Sequence, residues 1–391
     1  MNGFDLEPLP PQAELETVPV LKKLTEAHRH LAELKGIAAT IPNESILIQT
    51  LALQEAKDSS EIENIVTTHD DLFKAQLADE AAKPAAKEVA RYIAALRVGF
   101  EAVRKVRLVT TNHILDVHRT LEQSDTGFRK LPGTALRNQA TGEVVYTPPQ
   151  EHDRIVALMS DLERYINEPA RLNVDPLVKM AVIHYQFESI HPFYDGNGRT
   201  GRILNILYLV ANGLLDLPVL YLSRFIIQNK PDYYRLLQAV RDRAAWEEWL
   251  LFMLEGVAVT SRQAIELIVR IREMMLDYKH RIRKQFPRLY SQDLLNNLFR
   301  HPYTKIAIVQ ADLSVSRLTA ARYLDQLAHA GYLEKRRYGR TNYYLNTPLV
   351  DLFLNLPRGP RMAASQQIES VSKLTPRSTD HKMGIGTGPI G

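Results

Sequence analysis

Residues 191–202, HPFYDGNGRTGR, bring a histidine, an aspartate, three glycines and two arginines together within twelve positions. Gly196 and Gly198 allow the backbone to turn its N–H groups toward a common point, and a helix that begins near Arg199 adds the partial positive charge of its N-terminus. Arg199 and Arg202 lie three apart on one face of the first turn of that helix, where the dipole disfavours cations unless an anion binds between them. The stretch therefore predicts a phosphate site at a loop-to-helix junction.

Two further side chains beside the glycines supply reactive groups. Asp195 offers a hard oxygen ligand for Mg²⁺ bridging phosphates. His191 titrates near neutrality and is suited to take a proton from an attacking hydroxyl. Together these residues predict a nucleotidyl or phosphoryl transfer site.

Other interpretations of the same region are weaker. GNGRTG matches the dinucleotide fingerprint G-x-G-x-x-G, but that fingerprint requires a preceding strand, whereas a helix is predicted here. The spacing of His184, Glu188 and His191 would suit a metal site on one helical face, but Pro192 should end the helix there. We expect His184 and Glu188 to form a buried hydrogen-bonded pair that supports the loop.

Composition describes an ordinary soluble globular chain. Of 391 residues 45% are hydrophobic and 24% charged, with a formal net charge of +4. The absence of cysteine excludes disulfides, thiolate catalysis and cysteine-based zinc sites. The N-terminus lacks a signal-peptide pattern and the apolar run 203–222 is interrupted by polar residues, which favours a cytoplasmic protein with a buried helix there and no membrane contact.

The predicted fold class is mainly α. Apolar residues recur at helical spacing over 14–100, with a turn near 41–43, and again over 151–275. Asp175 and Pro176 predict the start of a helix that runs up to His191. Between these regions, turn residues at 140–142 and β-branched neighbours predict a small β-hairpin.

With these residues in view, HPFYDGNGRTGR resembles the full signature of the Fic family, H-P-F-x-[D/E]-G-N-G-R-x-x-R. The resemblance implies a Fic-type helical bundle and transfer of AMP from ATP to a Tyr, Ser or Thr hydroxyl of a protein, with His191 as base and Asp195 as Mg²⁺ ligand. It also implies that Asn197 and the glycine backbone form an anion hole and that Arg199 and Arg202 hold the outer phosphates. The predicted ATP-binding set is Gly196, Asn197, Gly198, Arg199, Thr200, Gly201 and Arg202.

The hairpin at 137–147 corresponds in position to the flap of that family, which aligns the target backbone. The resemblance places Val145 and Tyr146 near the nucleotide. It also matches Tyr233 and Tyr234 to a tyrosine pair near the adenosine, although ordinary core packing explains them equally well.

A second motif, SSEIEN at 59–64, resembles the inhibitory [S/T]-x-x-x-E-[G/N] of Fic proteins. Ser59 and Glu63 lie four apart, hence on one helical face. Ser60 and Glu63 also satisfy a capping-box pattern that would simply start a helix. The inhibitory interpretation, which includes Asn64, predicts that Glu63 pairs with Arg202.

Residues 303–345 resemble a winged helix-turn-helix, with its turn at Ser314 and a recognition helix over 316–330. Two strands around Gly339 and Arg340 would form the wing. DNA binding is a hypothesis here, and contact with protein is the alternative. The candidate DNA contacts are Arg317, Arg322, Lys335, Arg336, Arg337 and Arg340.

The predicted domains are an N-terminal helical region with the inhibitory motif (1–100), a catalytic core (101–275), a winged helix (285–357) and a flexible tail (358–391). The predicted function is Mg²⁺-dependent AMP transfer to a protein substrate or to the protein itself, inhibited by Glu63. A homodimer is a further hypothesis. Two alternatives remain. One is a DNA-binding regulator whose core only senses nucleotide, and the other is a transferase of another phosphate-containing group.

Overall fold

The computed structural model describes residues 6–69, 71–72, 83–137, 141–168, 173–338 and 341–355. The described chain is mainly helical with few strands, as predicted. In chain order its elements are α1 (Val18–Ala38), α2 (Glu44–Ile62), α3 (Pro84–Val106), α4 (Thr111–Glu122), β1 (Leu136–Arg137), β2 (Val144–Tyr146), α5 (His152–Asn167), α6 (Pro176–Ile190), α7 (Asn197–Ala211), α8 (Leu222–Gln228), α9 (Lys230–Arg243), α10 (Trp246–Gln285), α11 (Gln292–Arg300), β3 (Tyr303–Thr304), α12 (Ile306–Leu313), α13 (Arg317–His329), β4 (Glu334–Tyr338), β5 (Thr341–Leu345) and α14 (Thr347–Leu354).

Helix α6 lies at the centre of the core. Every residue from Leu177 to Ile190 is buried, because α5, α7 and α10 all pack against the helix. Its start is the predicted one: the Asp175 carboxylate accepts a hydrogen bond from the Leu177 N–H at 2.8 Å, and Pro176 occupies the first turn. The helix ends just before His191.

Helix α7 begins two residues earlier than predicted. Gly196 adopts φ +75°, which turns the chain into a helix that starts at Asn197. The prediction that both arginines lie in the first turn is therefore wrong for Arg202, which lies in the second. The apolar run from Ile203 to Val210 is buried within this helix, as predicted.

Helix α2 carries the motif at 59–64 at its C-terminal end. Asn43 caps its start by accepting from the Ser45 N–H at 3.0 Å. Ser60 is buried in the last turn and Glu63 follows that turn, so the capping-box interpretation is wrong: a helix ends here and none begins. Helix α2 packs against α3, α7, α8 and α11.

The two short strands β1 and β2 form an antiparallel hairpin at the predicted place, with Leu136 opposite Tyr146 and Arg137 opposite Val144. Residues 138–140, including part of the predicted turn, lie outside the described residues.

The C-terminal part contains, in chain order, α11, β3, α12, α13, β4, β5 and α14. Its antiparallel sheet has the order β3-β5-β4. Ser314 adopts φ +51° between α12 and α13, a conformation that favours glycine, and Ser316 caps α13 by accepting from the Thr319 N–H at 3.1 Å. The wing tip with Arg340 and the predicted tail 358–391 lie outside the described residues.

The described helices include none with both the length and the unbroken apolar run that crossing a membrane requires.

Candidate active site

His191 occupies a strained turn at the end of α6. Its backbone is left-handed, with φ +49° and ψ +60°, and its N–H donates to the Phe187 carbonyl at 3.0 Å. Burial lowers the pKa of the imidazole to about 4, and the nearby guanidinium groups of Arg129 and Arg241 act in the same direction. Its Nδ1 is buried, and a backbone hydrogen bond between the imidazole and Glu188 acts on the pKa in the opposite direction. The imidazole is thus neutral at pH 7 and able to accept a proton.

The glycine loop is shaped by the side chain of Asn197. Its Oδ1 accepts from the Phe193 N–H at 2.8 Å, and its Nδ2 donates to the Phe193 carbonyl at 2.8 Å. The amide is therefore used within the loop, and the resemblance-based expectation of a direct anion contact by this side chain stays a prediction. Thr200 and Gly201 follow on the buried side of α7.

Arg202 is held by two residues of the inhibitory motif, Ser59 and Glu63, of which Glu63 is the predicted partner. Its Nε donates to the Ser59 hydroxyl at 2.8 Å, and its Nη2 donates to the Ser59 carbonyl at 2.9 Å and to Glu63 Oε1 at 2.8 Å. Burial acts to raise the pKa of Glu63, but the guanidinium of Arg202 outweighs it and the pKa is lowered. The predicted contact between Glu63 and Arg202 is present.

The Glu63 carboxylate also lies against the glycine loop. A Cβ added to Gly198 would come within 2.3 Å of Glu63 Oε1 and 2.9 Å of Arg202 Nη1. The space over Gly198, which the sequence assigned to a bound anion, thus holds a carboxylate of the same chain.

Lys230 forms hydrogen bonds with the C-terminal end of α2 and the residues that follow it. Its Nζ donates to the Ile62 carbonyl at 2.6 Å and to Asn64 Oδ1 at 3.3 Å. Asn64 adopts φ +64°, a left-handed conformation that asparagine tolerates better than most residues. The residue that follows Glu63 is therefore tied to the start of α9.

Arg199 forms ion pairs with carboxylates of α3 and α4. It is 2% exposed and lies 2.5 Å from Glu88 Oε1 and 3.0 Å from Glu122 Oε1. The side chain of Asp195, which remains 84% exposed, has Oδ1 3.9 Å from Arg199. The two arginines that the sequence grouped as one clamp thus have different partners.

The expected pair of His184 and Glu188 is absent. His184 instead lies 2.8 Å from the Tyr233 hydroxyl and 3.0 Å from Asn205 Nδ2. Glu188 Oε1 is buried without a hydrogen-bond partner in the described part of the chain, and burial raises the pKa of this carboxyl to about 7. No group of three histidine, aspartate or glutamate residues among the described ones is arranged to hold a metal ion.

The four residues predicted near the adenosine differ in exposure. Tyr233 is a core residue, and Tyr146 is buried with its hydroxyl donating to the Ser189 carbonyl at 2.8 Å. Tyr234 and Val145 are exposed. The last two are the ones that remain accessible to a ligand.

Several candidate DNA contacts have acidic partners. Lys335 lies 2.7 Å from Asp325, and Arg336 lies 2.8 Å from Glu334. Arg317 and Arg322 lie on α13. The paired cations do not by themselves form an electropositive surface.

Three family models match the chain in succession. They are the Fic/DOC family N-terminal model over residues 21–101, the Fic/DOC family model over 108–209, and the model of the protein adenylyltransferase SoFic-like C-terminal domain over 274–349. The chain thus contains Fic/DOC family domains over residues 21–101 and 108–209. The middle match includes both His191 and the glycine loop.

Curated relatives of this Fic chain carry the name protein adenylyltransferase. One from Caenorhabditis elegans, fic-1, is 30% identical over 132 residues, which is 33% of this chain and 23% of the relative. One from Drosophila ananassae is 30% identical over 135 residues, 34% of this chain and 25% of the relative. The chain thus matches about a quarter of the length of these relatives.

Solved structures of Fic proteins share the fold. A Fic family protein from Desulfovibrio desulfuricans superposes with a TM-score of 0.56 at 22% identity, covering 87% of this chain and 98% of its own. A Fic-domain signalling protein from Bacteroides thetaiotaomicron gives 0.50 at 19% identity, covering 63% of this chain and 96% of its own.

Sequence reasoning missed the residues that support the Fic motif from a distance. Four residues from elsewhere in the sequence contact the motif or its inhibitory partner: Glu88, Glu122, Arg129 and Lys230. Arg129 lies in TGFRK (126–130), a segment whose sequence predicts a loop. A single sequence carries no local signal for such contacts.

Proposed function

We propose that this Fic protein transfers AMP from ATP to a hydroxyl of a protein side chain, Tyr, Ser or Thr, and that Glu63 inhibits the transfer. The observation that carries the proposal is the position of the Glu63 carboxylate. An anion of the chain occupies the space beside Gly198 and Arg202, at the junction where the sequence predicts phosphate. The adenylyltransferase names of the curated relatives support the same reaction.

In this reaction the target hydroxyl oxygen bonds to the α-phosphorus of ATP, and the bond from that phosphorus to the bridging oxygen breaks. Pyrophosphate leaves with the bond electrons, and His191 takes the hydroxyl proton. Its imidazole is neutral at pH 7, as a base requires. The phosphates of bound ATP would offset the Arg129 and Arg241 charges and raise the pKa of His191 toward neutrality.

The donor set fits a magnesium ion bound together with nucleotide. Mg²⁺ commonly takes one or two carboxylates plus phosphate oxygens and water, and the exposed Asp195 carboxylate beside the glycine loop matches that pattern. When bound, the ion would neutralise phosphate charge, with Asp195 as its protein ligand.

Autoinhibition follows from competition for Arg202. While Glu63 holds this guanidinium, the outer phosphates of ATP lack a cation that the transfer geometry requires. Release of Glu63 frees both the charge and the space over Gly198.

Intact mass spectrometry after incubation with ATP and Mg²⁺ tests the proposal. Wild type, Glu63→Gly and Glu63→Gly with His191→Ala are compared, alone and with a cell lysate and labelled ATP. We expect AMP incorporation by Glu63→Gly, on itself or on a lysate protein, and none without His191. No incorporation by Glu63→Gly from ATP would overturn the function. Incorporation from a different phosphate-containing donor would support the alternative transferase.

The predicted macromolecular partners are a target protein, a second copy of this chain and DNA. The acidic partners of Lys335 and Arg336 give DNA binding no support, so protein contact is the better proposal for the C-terminal domain. We propose a cytoplasmic location, since a chain without cysteine suits a reducing compartment. A mobility shift of the full chain with DNA at several salt concentrations tests the DNA prediction.

A further inference from the structure

The backbone carbonyls around His191 are all engaged by residues from outside α6. A helix leaves its last four carbonyls without intrahelical partners. Here the Ser189 carbonyl accepts from Tyr146. The carbonyls of Ile190 and His191 accept from the Arg129 guanidinium, at 3.5 Å from Nη2 and 2.9 Å from Nε, and Pro192 accepts from the Arg129 N–H at 2.9 Å.

Arg129 is buried to an unusual degree for a cation. It is 1% exposed, and the described ion pairs give it no carboxylate partner. Burial lowers its pKa, which means that the fold bears a cost for keeping this charge inside. The side-chain hydrogen bonds of Arg129 within the described part of the chain go to the carbonyl oxygens of Pro149, Ile190 and His191. A side chain placed to stabilise the core would not need to be a cation.

The same guanidinium also reaches the flap. Arg129 Nη2 donates to the Pro149 carbonyl, three residues beyond β2. On its other side, the N–H groups of Lys130 and Leu131 both donate to the Tyr194 hydroxyl at 2.9 Å. Residues 129–131 thus form a strap that joins the His191 turn to the base of the hairpin.

The strap contacts the backbone of His191, whose left-handed conformation needs support from its surroundings. The left-handed region is unfavourable for a non-glycine residue, and such conformations persist where the surroundings over-determine them. His191 is such a residue. Two of the carbonyls that the Arg129 guanidinium binds, those of Ile190 and His191, lie on either side of the His191 Cα and so restrain its φ and ψ.

We propose that Arg129 is a positioning residue for the base: it locks His191 in the left-handed turn and fixes that turn relative to the flap. The inference rests on the proposed function, since it concerns the base of that reaction. Loss of Arg129 then impairs the chemical step more than nucleotide binding, because the guanidinium contacts the turn and the flap base and neither the glycine loop nor Arg202.

The kinetic test uses Arg129→Met and the milder Arg129→Lys in the Glu63→Gly background. We expect kcat to fall about 100-fold for Arg129→Met, the scale of a misplacement near 1 Å, with KM for ATP changed less than about threefold. The control is Arg107→Met, which removes an arginine that donates to the Val210 carbonyl at 2.7 Å at the far end of α7. It should leave kcat unchanged. A kcat for Arg129→Met within about threefold of its background, or a loss wholly in KM, overturns the proposal.

Hydrogen exchange separates this inference from the proposed function, because it needs no activity. In the wild-type background, Arg129→Lys should speed amide exchange over 189–194 about tenfold and leave α1 and α10 unchanged. Arg107→Lys should not affect 189–194. If Glu63→Gly transfers no AMP, the proposed function fails, whereas unchanged exchange over 189–194 in Arg129→Lys overturns the role of Arg129 itself.

Discussion

Glu63 Oε1 lies 2.8 Å from Nη2 of Arg202, although 139 positions of sequence separate the two residues. The guanidinium is almost fully buried, while the carboxylate keeps 34% of its side-chain surface exposed. One partner is therefore fixed within α7, and the other can withdraw into solvent. This asymmetry makes Glu63 the movable half of the pair.

Replacing Glu63 by glycine should raise AMP transfer roughly 10–100-fold, the effect of losing one charged hydrogen bond worth about 1.5–3 kcal/mol and partly screened by solvent. Initial rates with labelled ATP measure it. Glu61→Gly is the matched control, because Glu61 lies two residues away in α2 and pairs with Lys57 at the surface. Equal activation by both variants would mean that loosening α2, and not removing the carboxylate, is responsible.

Replacing Lys230 by methionine should activate the enzyme partially, by about two- to fivefold, since it removes one hydrogen bond worth about 1 kcal/mol at the end of α2. The Lys230 ammonium holds the Ile62 carbonyl just before Glu63. The same rate assay applies, with Lys57→Met as control. In a Glu63→Gly background the Lys230 variant should give no additional activation, and a further rise there would contradict the explanation.

Replacing Asn197 by alanine should lower the free energy of unfolding by about 2 kcal/mol, because two buried hydrogen bonds to Phe193 are lost. Urea unfolding followed by circular dichroism measures the change. Asn197→Asp keeps the acceptor for the Phe193 N–H but replaces the donor to the Phe193 carbonyl. Its free energy of unfolding should therefore be at least as low as that of the alanine variant. A fully stable alanine variant would show that the loop holds its shape without this side chain.

Stability should depend on pH through Glu55, which is buried in α2. Burial raises the pKa of its carboxyl to about 7, while the Ser223 hydroxyl and Arg202 act in the opposite direction. The folded state therefore binds this proton more tightly than the unfolded chain, in which the carboxyl titrates near 4.5. The resulting stability is complete below about pH 4.5 and is lost as the pH rises through about 7.

Glu55→Gln should remove that dependence. We expect the variant to gain stability relative to wild type between about pH 5 and 8, by up to about 3 kcal/mol. Urea unfolding of both proteins at several pH values in this window measures the difference. A difference that stays constant with pH would show that Glu55 is already ionised in the folded protein.

Local signals allowed much of the fold and site to be predicted. Asp175 and Pro176 mark the start of α6, and the HPF turn marks its end, because capping and proline geometry act over a few residues. Ser59 and Glu63 shared a face by simple helical spacing. Gly196 marked the turn into α7, but the exact start depended on Asn197 bonding back to Phe193, which spacing alone does not reveal.

Contacts between distant elements could not be predicted in the same way. Arg199 resembled a phosphate ligand by position, yet α3 and α4 supply the carboxylates that surround it. His184 was matched to a neighbour on its own helix, whereas its partners come from α7 and α9. In each case a buried polar group is satisfied by whichever element packs against it, and that depends on the tertiary fold.

Gly198 has a consequence for how inhibition can be altered by mutation. The space where its side chain would stand holds the inhibitory carboxylate, and the proposed phosphate site lies at the same place. A methyl group there would expel Glu63 and obstruct the nucleotide in one step, so alanine at this position cannot imitate the loss of Glu63. In this structure the Glu63 carboxylate therefore stands in the volume that an alanine side chain at position 198 would need.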